Sequence, residues 1–290
     1  MTDDYVTSIV SWYSGHARDL PWRQPGTSPW AILVSEIMLQ QTPVARVRAA
    51  HAAWMDRWPT PAALARATAA DAVRQWDRLG YPRRALWLHG IARALVSDHG
   101  GEVPASAEVL ATLPGIGPYT AAAVATFAFG QRHAVLDTNV RRVLARLVTG
   151  TARPPAAPSA AERRLAEALL PAGDAAAARW SVAVMELGAL VCTAARPACD
   201  QCPVAAGCAW RAAGQPPAAV RPAAQGYEGT DRQCRGRLLA VLRGADGPVP
   251  AAALDAAWHD AGQRARALAA LVADGLVTGR TDGTFALPGE

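Results

Sequence analysis

Four cysteines, Cys192, Cys199, Cys202 and Cys208, fall within 17 residues, separated by six, two and five residues. Four thiolates this close can converge on one metal centre, and an all-thiolate set selects zinc or an iron–sulfur cluster. Zinc sites usually arrive as two close cysteine pairs joined by a longer spacer. One tight pair with wider gaps on either side suits a cuboidal [4Fe–4S] cluster better, because each iron takes its own sulfur at a corner. Two disulfides are the other arithmetic possibility, and nothing else in the chain looks secreted. The fifth cysteine, Cys234, reads as a small hydrophobic residue.

Two carboxylates have surroundings that set them apart. Glu36 is the only charge between Arg23 and Arg46, and it sits in the apolar run Ala31-Ile32-Leu33-Val34-Ser35-Glu36-Ile37-Met38-Leu39. On a helix its neighbours would be buried on almost any face. Apolar surroundings raise a carboxyl pKa, so that the group can carry a proton near neutral pH, as a general acid must. Asp137, in Val135-Leu136-Asp137-Thr138-Asn139-Val140, has the type and place of a helix N-cap. A third segment, Leu113-Pro114-Gly115-Ile116-Gly117-Pro118-Tyr119-Thr120, joins two helical stretches, 106–112 and 118–130. Gly115 and Gly117 permit positive φ and close backbone approach. Pro118 suits a first helical position, and the N–H groups there form an anion site.

These residues need elements to hold them. Over 3–208 apolar residues recur at three and four, punctuated by Pro, Gly, Ser and Thr, and no alternating strand pattern intrudes. The stretch 212–226 is rich in Ala, Pro and Gln and reads as linker. Beyond it, helical segments at 231–243, 250–260 and 263–275 precede a hairpin turning at Asp282-Gly283, a winged-helix-like pattern. No apolar run reaches the roughly 18 residues of a membrane span, and the N-terminus has no secretory pattern; a cytoplasmic protein is expected. All 29 basic residues are arginine, so no side-chain amine is available for a Schiff base, and the net charge is +5. Two arginine groups, Arg78, Arg83 and Arg84 around Tyr81, and Arg141, Arg142 and Arg146 after Asp137, suit phosphate contact or a solvated helix face.

Several segments resemble one family in order. The cysteine spacing, with Met185-Glu186-Leu187-Gly188-Ala189-Leu190-Val191-Cys192 before it, resembles the cluster loop of MutY-type DNA glycosylases in the endonuclease III superfamily. Leu20-Pro21-Trp22-Arg23, Ser35-Glu36-Ile37-Met38-Leu39-Gln40-Gln41-Thr42 and Leu79-Gly80-Tyr81 are similar to the same family, and the 113–120 segment to its helix-hairpin-helix. The resemblance implies an adenine glycosylase of base excision repair, bound to double-stranded DNA carrying an adenine:8-oxoguanine or adenine:guanine mismatch and acting as a monomer. By it Glu36 protonates the adenine and Asp137 stabilises or captures the positive charge on the sugar. Tyr119 and Asn139 complete the catalytic group. Gln40, Gln41 and Tyr81 lie at the base stack, Trp22, Arg23 and Glu186 at the flipped base, and Gly115 and Gly117 at the phosphate. Relatives that nick DNA carry lysine where this chain has Tyr119, which implies hydrolysis without strand cleavage. The family continues with a second aromatic after Tyr81, where this chain has Pro82.

The fold expected is all-α: a two-lobed helix-hairpin-helix glycosylase with an iron–sulfur cluster loop and a small C-terminal winged-helix-like domain. Residues 28–134 form the six-helix barrel domain, 1–27 and 135–210 the cluster domain, 211–230 a linker and 231–290 the terminal domain. The relatives' lesion-checking Nudix-like domain has no counterpart in these last 60 residues, whose Arg232, Arg235 and Arg237 are expected to add nonspecific DNA affinity. A thymine or uracil mismatch glycosylase, which should lack the Glu36 segment, and a lesion-binding module without turnover are the alternatives.

Overall fold

The computed structural model describes residues 2–218 and 226–290. Fifteen α-helices carry most of these residues. In the first part of the chain they are α1 Thr2–His16, α2 Pro29–Leu39, α3 Val44–Arg57, α4 Pro61–Ala65, α5 Ala69–Trp76, α6 Arg83–Asp98 and α7 Ala107–Leu110. The next are α8 Pro118–Phe129, α9 Thr138–Leu144, α10 Ala160–Leu169, α11 Asp174–Leu190 and α12 Ala209–Ala212. Local chemistry fixes many ends. Thr68 and Asp71 form a reciprocal capping box on α5, as do Ser159 and Glu162 on α10. Gly130, at φ +69°, closes α8.

The chain forms two compact units. The first comprises Met1–Ile32, Ala105–Thr112 and Ile116–Pro222. Its core is Ile9 from α1, Val140, Val143 and Leu144 from α9, and Ala177, Trp180, Val184 and Leu187 from α11. The spacing of the α11 residues at three and four is the amphipathic signature that sequence periodicity detects. The second unit comprises Leu33–Pro104, Leu113–Gly115 and Ala223–Glu290. Here Trp54 and Trp76 are buried and meet edge-on at 5.7 Å between ring centroids, and Leu88, Ile91 and Leu95 of α6 are buried in the same unit.

The C-terminal residues fold as α13 Asp231–Arg243, α14 Ala251–Asp255 and α15 Ala261–Ala273, with strands β1 Val249–Pro250, β2 Thr278–Gly279 and β3 Thr284–Ala286. The sheet order is β1-β3-β2, antiparallel throughout, with Val249 opposite Phe285 and Thr278 opposite Ala286. The hairpin turn has Gly283 at φ +81°, and Asp282 accepts from the Thr284 N–H at 3.0 Å. Strand β1 is an addition to the sequence reading: two residues are too few to show periodicity. The expected linker falls partly on 219–225, outside the described residues. Cys234 is fully buried, as a small hydrophobe should be.

Candidate active site

Helix α2 places Glu36 among the buried residues Leu33, Val34, Ser35, Ile37 and Met38, and leaves the acid itself 7% exposed. The apolar run that marked Glu36 therefore surrounds it along the helix. At the end of α2 the chain turns sharply: Gln41 adopts φ +54° and is exposed, while Thr42 is buried. A non-glycine residue in this left-handed region is uncommon, and such residues gather at functional turns.

The turn between α5 and α6 shows the same feature twice. Asp77 has φ +40° and Tyr81 φ +49°, with Gly80 between them at +91°. Trp76 donates its Nε1–H to the Gly80 carbonyl at 2.8 Å. Pro82 starts α6 as its N-cap at φ −63°, so the departure from the family pattern serves to launch the helix. Tyr81 is 50% exposed, a large aromatic offered to solvent. Beneath it, the Arg84 guanidinium lies 4.4 Å from the ring and also donates to Thr42 Oγ1 at 3.3 Å. Burial pulls the Arg84 pKa down to about 10. One arginine thus joins the Tyr81 turn to the turn that carries Gln40 and Gln41. Reading Arg84 as phosphate contact or solvated surface is corrected: it is buried and committed internally.

In the hairpin, Gly115 has φ +71°, and a Cβ there would come within 2.5 Å of the Trp87 ring. Glycine is thus required twice, by conformation and by space. Gly117 caps α8 in extended conformation, and Pro118 takes the first helical position. The first-turn N–H groups of α8 are an anion site by geometry. Tyr119 sits in this first turn, half-buried.

Asp137 caps α9, accepting from the Val140 N–H at 2.6 Å and from Asn139 Nδ2 at 2.7 Å. Burial pushes its pKa up, against the lowering effect of these hydrogen bonds and of Arg142. Asn139 in turn accepts from Arg142 at 2.8 Å, and Arg142 donates to the carbonyls of Gly188 and Cys192 at 2.6 and 2.7 Å. Gly188 lets α11 approach this cap: a Cβ on it would lie 2.7 Å from Asn139 Cβ and 2.9 Å from the Asn139 carbonyl oxygen. The second arginine group is corrected as well. Arg141 pairs with Glu162 at 2.9 Å, and Arg146 donates to Thr193 and Ala194, with both arginines buried.

Glu186 is fully buried. Its Oε1 accepts from the Arg18 backbone N–H at 2.9 Å and from Arg18 Nε at 2.7 Å. Its Oε2 accepts from Arg18 Nη2 and Arg23 Nη1, both at 2.8 Å. Burial alone would raise its pKa; the Arg18 hydrogen bonds and the Arg23 charge outweigh it and hold the pKa at about 2. The structure thus commits Glu186 to Arg18 and Arg23, and Trp22, which precedes Arg23 in the chain, is buried. Arg18 was missed in the sequence, because a lone arginine after α1 carries no motif.

None of the five cysteines is joined in a disulfide. Cys192 follows the end of α11, Cys199 and Cys202 flank a 3₁₀ turn, and Cys208 caps α12. Burial pushes Cys202 up to about 11, and charge on Cys192, Cys208 and Cys199 pushes it the same way, so the four sulfurs share one neighbourhood. Arg146 donates to Cys192 Sγ at 3.4 Å and Gln215 to Cys199 Sγ at 3.2 Å. Among the described residues no three His, Cys, Asp or Glu side chains converge on the centre of a single ion. Four clustered thiols with N–H donors aimed at sulfur fit a cuboidal cluster, which takes one sulfur at each corner.

Helices joined through a glycine hairpin, with buried acids and a cysteine loop, define a class: the helix-hairpin-helix base excision glycosylases. Residues 34–171 match the family described as "HhH-GPD superfamily base excision DNA repair protein". The solved structure of a thermostable thymine-DNA glycosylase superposes with TM-score 0.66 at 28% identity, over 73% of this chain and 97% of that one. An endonuclease III–DNA covalent intermediate superposes at 0.63 and 20% identity, over 74% and 99%, a likeness of fold. The adenine DNA glycosylase of Mycobacterium tuberculosis is 56% identical over 98% of this chain and 93% of that protein. That of Mycolicibacterium smegmatis is 52% identical over 97% and 95%. The human adenine DNA glycosylase is 42% identical, over 69% of this chain and 38% of its own length. The chain belongs to the adenine DNA glycosylase family. Among the described residues, no helix is long and apolar enough to cross a membrane.

Proposed function

We infer that this protein excises adenine from double-stranded DNA by hydrolysing its N-glycosidic bond, with adenine opposite 8-oxoguanine or guanine as substrate. The observation that carries the reading is the burial of Glu36 within α2, in a chain 56% identical to a curated adenine glycosylase. Glu36 protonates the base, making it a better leaving group, and the positive charge then develops on the sugar. Asp137 answers that charge. The burial that raises its proton affinity also strengthens its attraction for a cation once it is ionised. Asn139 and Arg142 fix its orientation, Tyr119 stands at the start of α8, and water completes the reaction. Absence of lysine leaves the abasic strand intact.

On the DNA side, Gly115 and Gly117 present backbone N–H groups to phosphate, Tyr81 and Gln41 enter the stack, and Gln40 lies beside them. Trp22 and Arg23 line the base pocket, with Glu186 as the residue that positions Arg23. Cys192, Cys199, Cys202 and Cys208 hold a [4Fe–4S] cluster, which cross-links the loop after α11 and takes no part in the bond cleavage. The protein works as a monomer in the cytoplasm, on the nucleoid. As functional divisions we propose a barrel domain at 28–134, a cluster domain at 1–27 with 135–210, a linker at 211–230 and a winged-helix-like domain at 231–290, a division by role that cuts across the two compact units.

The test is single-turnover excision on duplexes with adenine opposite each base and 8-oxoguanine, for the natural protein and Glu36→Gln. We expect release of adenine opposite 8-oxoguanine and guanine, and a loss of at least about 100-fold in the variant with duplex binding retained. Release of thymine or uracil instead, or a variant within tenfold of the natural rate, refutes the assignment.

A further inference from the structure

The C-terminal residues 226–290 pack against the two helices that flank the Tyr81 turn. From the end of α13, Arg243 Nε donates to the Val73 carbonyl of α5 at 2.9 Å. In return, Arg74 of α5 donates to the Ala245 carbonyl at 2.8 Å and pairs with Glu290 at 2.5 Å. Beyond α15, Asp274 pairs with Arg83 in the first turn of α6 at 3.3 Å and with Arg235 of α13. These contacts lie on either side of the segment 77–82.

That segment needs holding. Two of its six residues, Asp77 and Tyr81, are non-glycine residues with positive φ. Such backbone persists only where its surroundings over-determine it. Arg84 and Trp76 restrain it from within the helices, and the terminal unit restrains both helix ends from outside.

The unit itself is a poor match for a DNA phosphate surface. Its seven arginines are outnumbered by eight acids over 226–290. Arg235 is spent on Asp274, and Arg232 lies 5.4 Å from the Tyr227 ring. Of the three arginines expected to add nonspecific affinity, Arg235 is thus engaged within the unit.

We propose that the C-terminal unit is a brace that fixes the Tyr81 turn in the conformation that enters DNA, with Asp274 as its positioning residue. The proposal rests on the glycosylase reading given above, in that Tyr81 meets the DNA stack. Removing Asp274 frees Arg83, loosens the α6 end of the turn, and leaves every residue assigned to chemistry untouched.

The test uses the full chain with Asp274→Ala, Asp274→Glu, Arg83→Ala, Tyr81→Ala and the Tyr81→Ala/Asp274→Ala double variant. Amide hydrogen exchange over 77–82 and single-turnover adenine excision are read together. Misplacing a positioning group costs up to about 100-fold, and we expect roughly tenfold slower excision in Asp274→Ala, with faster exchange confined to the turn. Arg83→Ala, altered at a half-exposed side chain, should reproduce the direction, and Asp274→Glu should restore most of the rate. The double variant should be no slower than Tyr81→Ala alone, because Asp274 acts through Tyr81. Natural-like rate and exchange in both single charge variants, or additive losses in the double variant, overturn the brace. If the natural protein excises no adenine, the functional reading fails, while exchange over 77–82 still decides whether the brace exists.

Discussion

Glu186→Gln should destabilise the protein by about 3 kcal/mol at pH 7, and the loss should shrink as acid is added. The carboxylate is fully buried, accepts four hydrogen bonds from Arg18 and Arg23, and has its pKa held at about 2, against an ordinary 4.5. That displacement corresponds to about 3 kcal/mol favouring the ionised, folded state. Glutamine keeps the shape but turns an amide N–H₂ toward a guanidinium, donor against donor, and leaves two arginines uncompensated. Breaking a buried pair costs about 3–5 kcal/mol; the Arg18 and Arg23 side chains are 31% and 18% exposed, so water recovers part of this and the lower end applies. The sign follows from linkage. A folded pKa below the unfolded one gives stability that is complete above about pH 4.5 and is lost as pH falls toward 2. The assay is urea unfolding followed by circular dichroism, natural protein against variant, from pH 7 to pH 3. A difference of about 3 kcal/mol is about 1 M in the urea midpoint for a slope of about 3 kcal/mol/M. The gap should hold from pH 7 to 5 and narrow below. Equal midpoints at pH 7, or a gap that widens in acid, would show that the bridge does not carry this energy.

Three other outcomes follow from the same geometry. Borohydride added during turnover should trap little covalent complex, since only the N-terminal amine could react; stoichiometric trapping would contradict water as the nucleophile. Protein purified anaerobically from iron-replete cells should be brown and hold about four irons per chain, and elemental analysis showing one zinc without iron would rule the cluster out. Gly188→Ala, whose new Cβ meets the Asn139 backbone, should lower stability by about 1–3 kcal/mol through overpacking and slow excision by displacing the Asp137 cap; thermal melting and single-turnover rates check both.

The helices were legible because their apolar residues repeat at three and four over many turns, as in α11, and because glycine and proline mark their ends, as at Gly117-Pro118 and Gly130. The hairpin backbone was legible from Gly115, Gly117 and Pro118, and the burial of Glu36 from the apolar run around it. What could not be read is what forms between distant segments. Arg18 is 168 residues from Glu186, Asp274 is 191 from Arg83, and Arg142 is 50 from the Cys192 carbonyl it holds. Strand β1 is two residues long and leaves no period. The positive φ of Gln41, Asp77 and Tyr81 is likewise invisible in sequence, because residues of these types are ordinarily right-handed or extended; tertiary contacts impose it.

The arginines show why charge counting misled. With no lysine, the chain uses guanidinium groups as internal cross-links as well as surface cations. Arg142 joins a side-chain amide to two carbonyls, Arg146 spans the loop after Cys192, and Arg84 bridges two turns. The planar fork of five donors suits such multiple engagement, and a lysine ammonium does not. Each arginine bound to a backbone carbonyl also retains its charge, so formal net charge stays at +5 while less of it reaches the surface where phosphate could meet it. The function proposed above assigns DNA contact to backbone N–H groups at the start of α8 and to the two turns with positive-φ residues at Gln41 and Tyr81. Arg84, buried between those turns, links them through Thr42 and the Tyr81 ring.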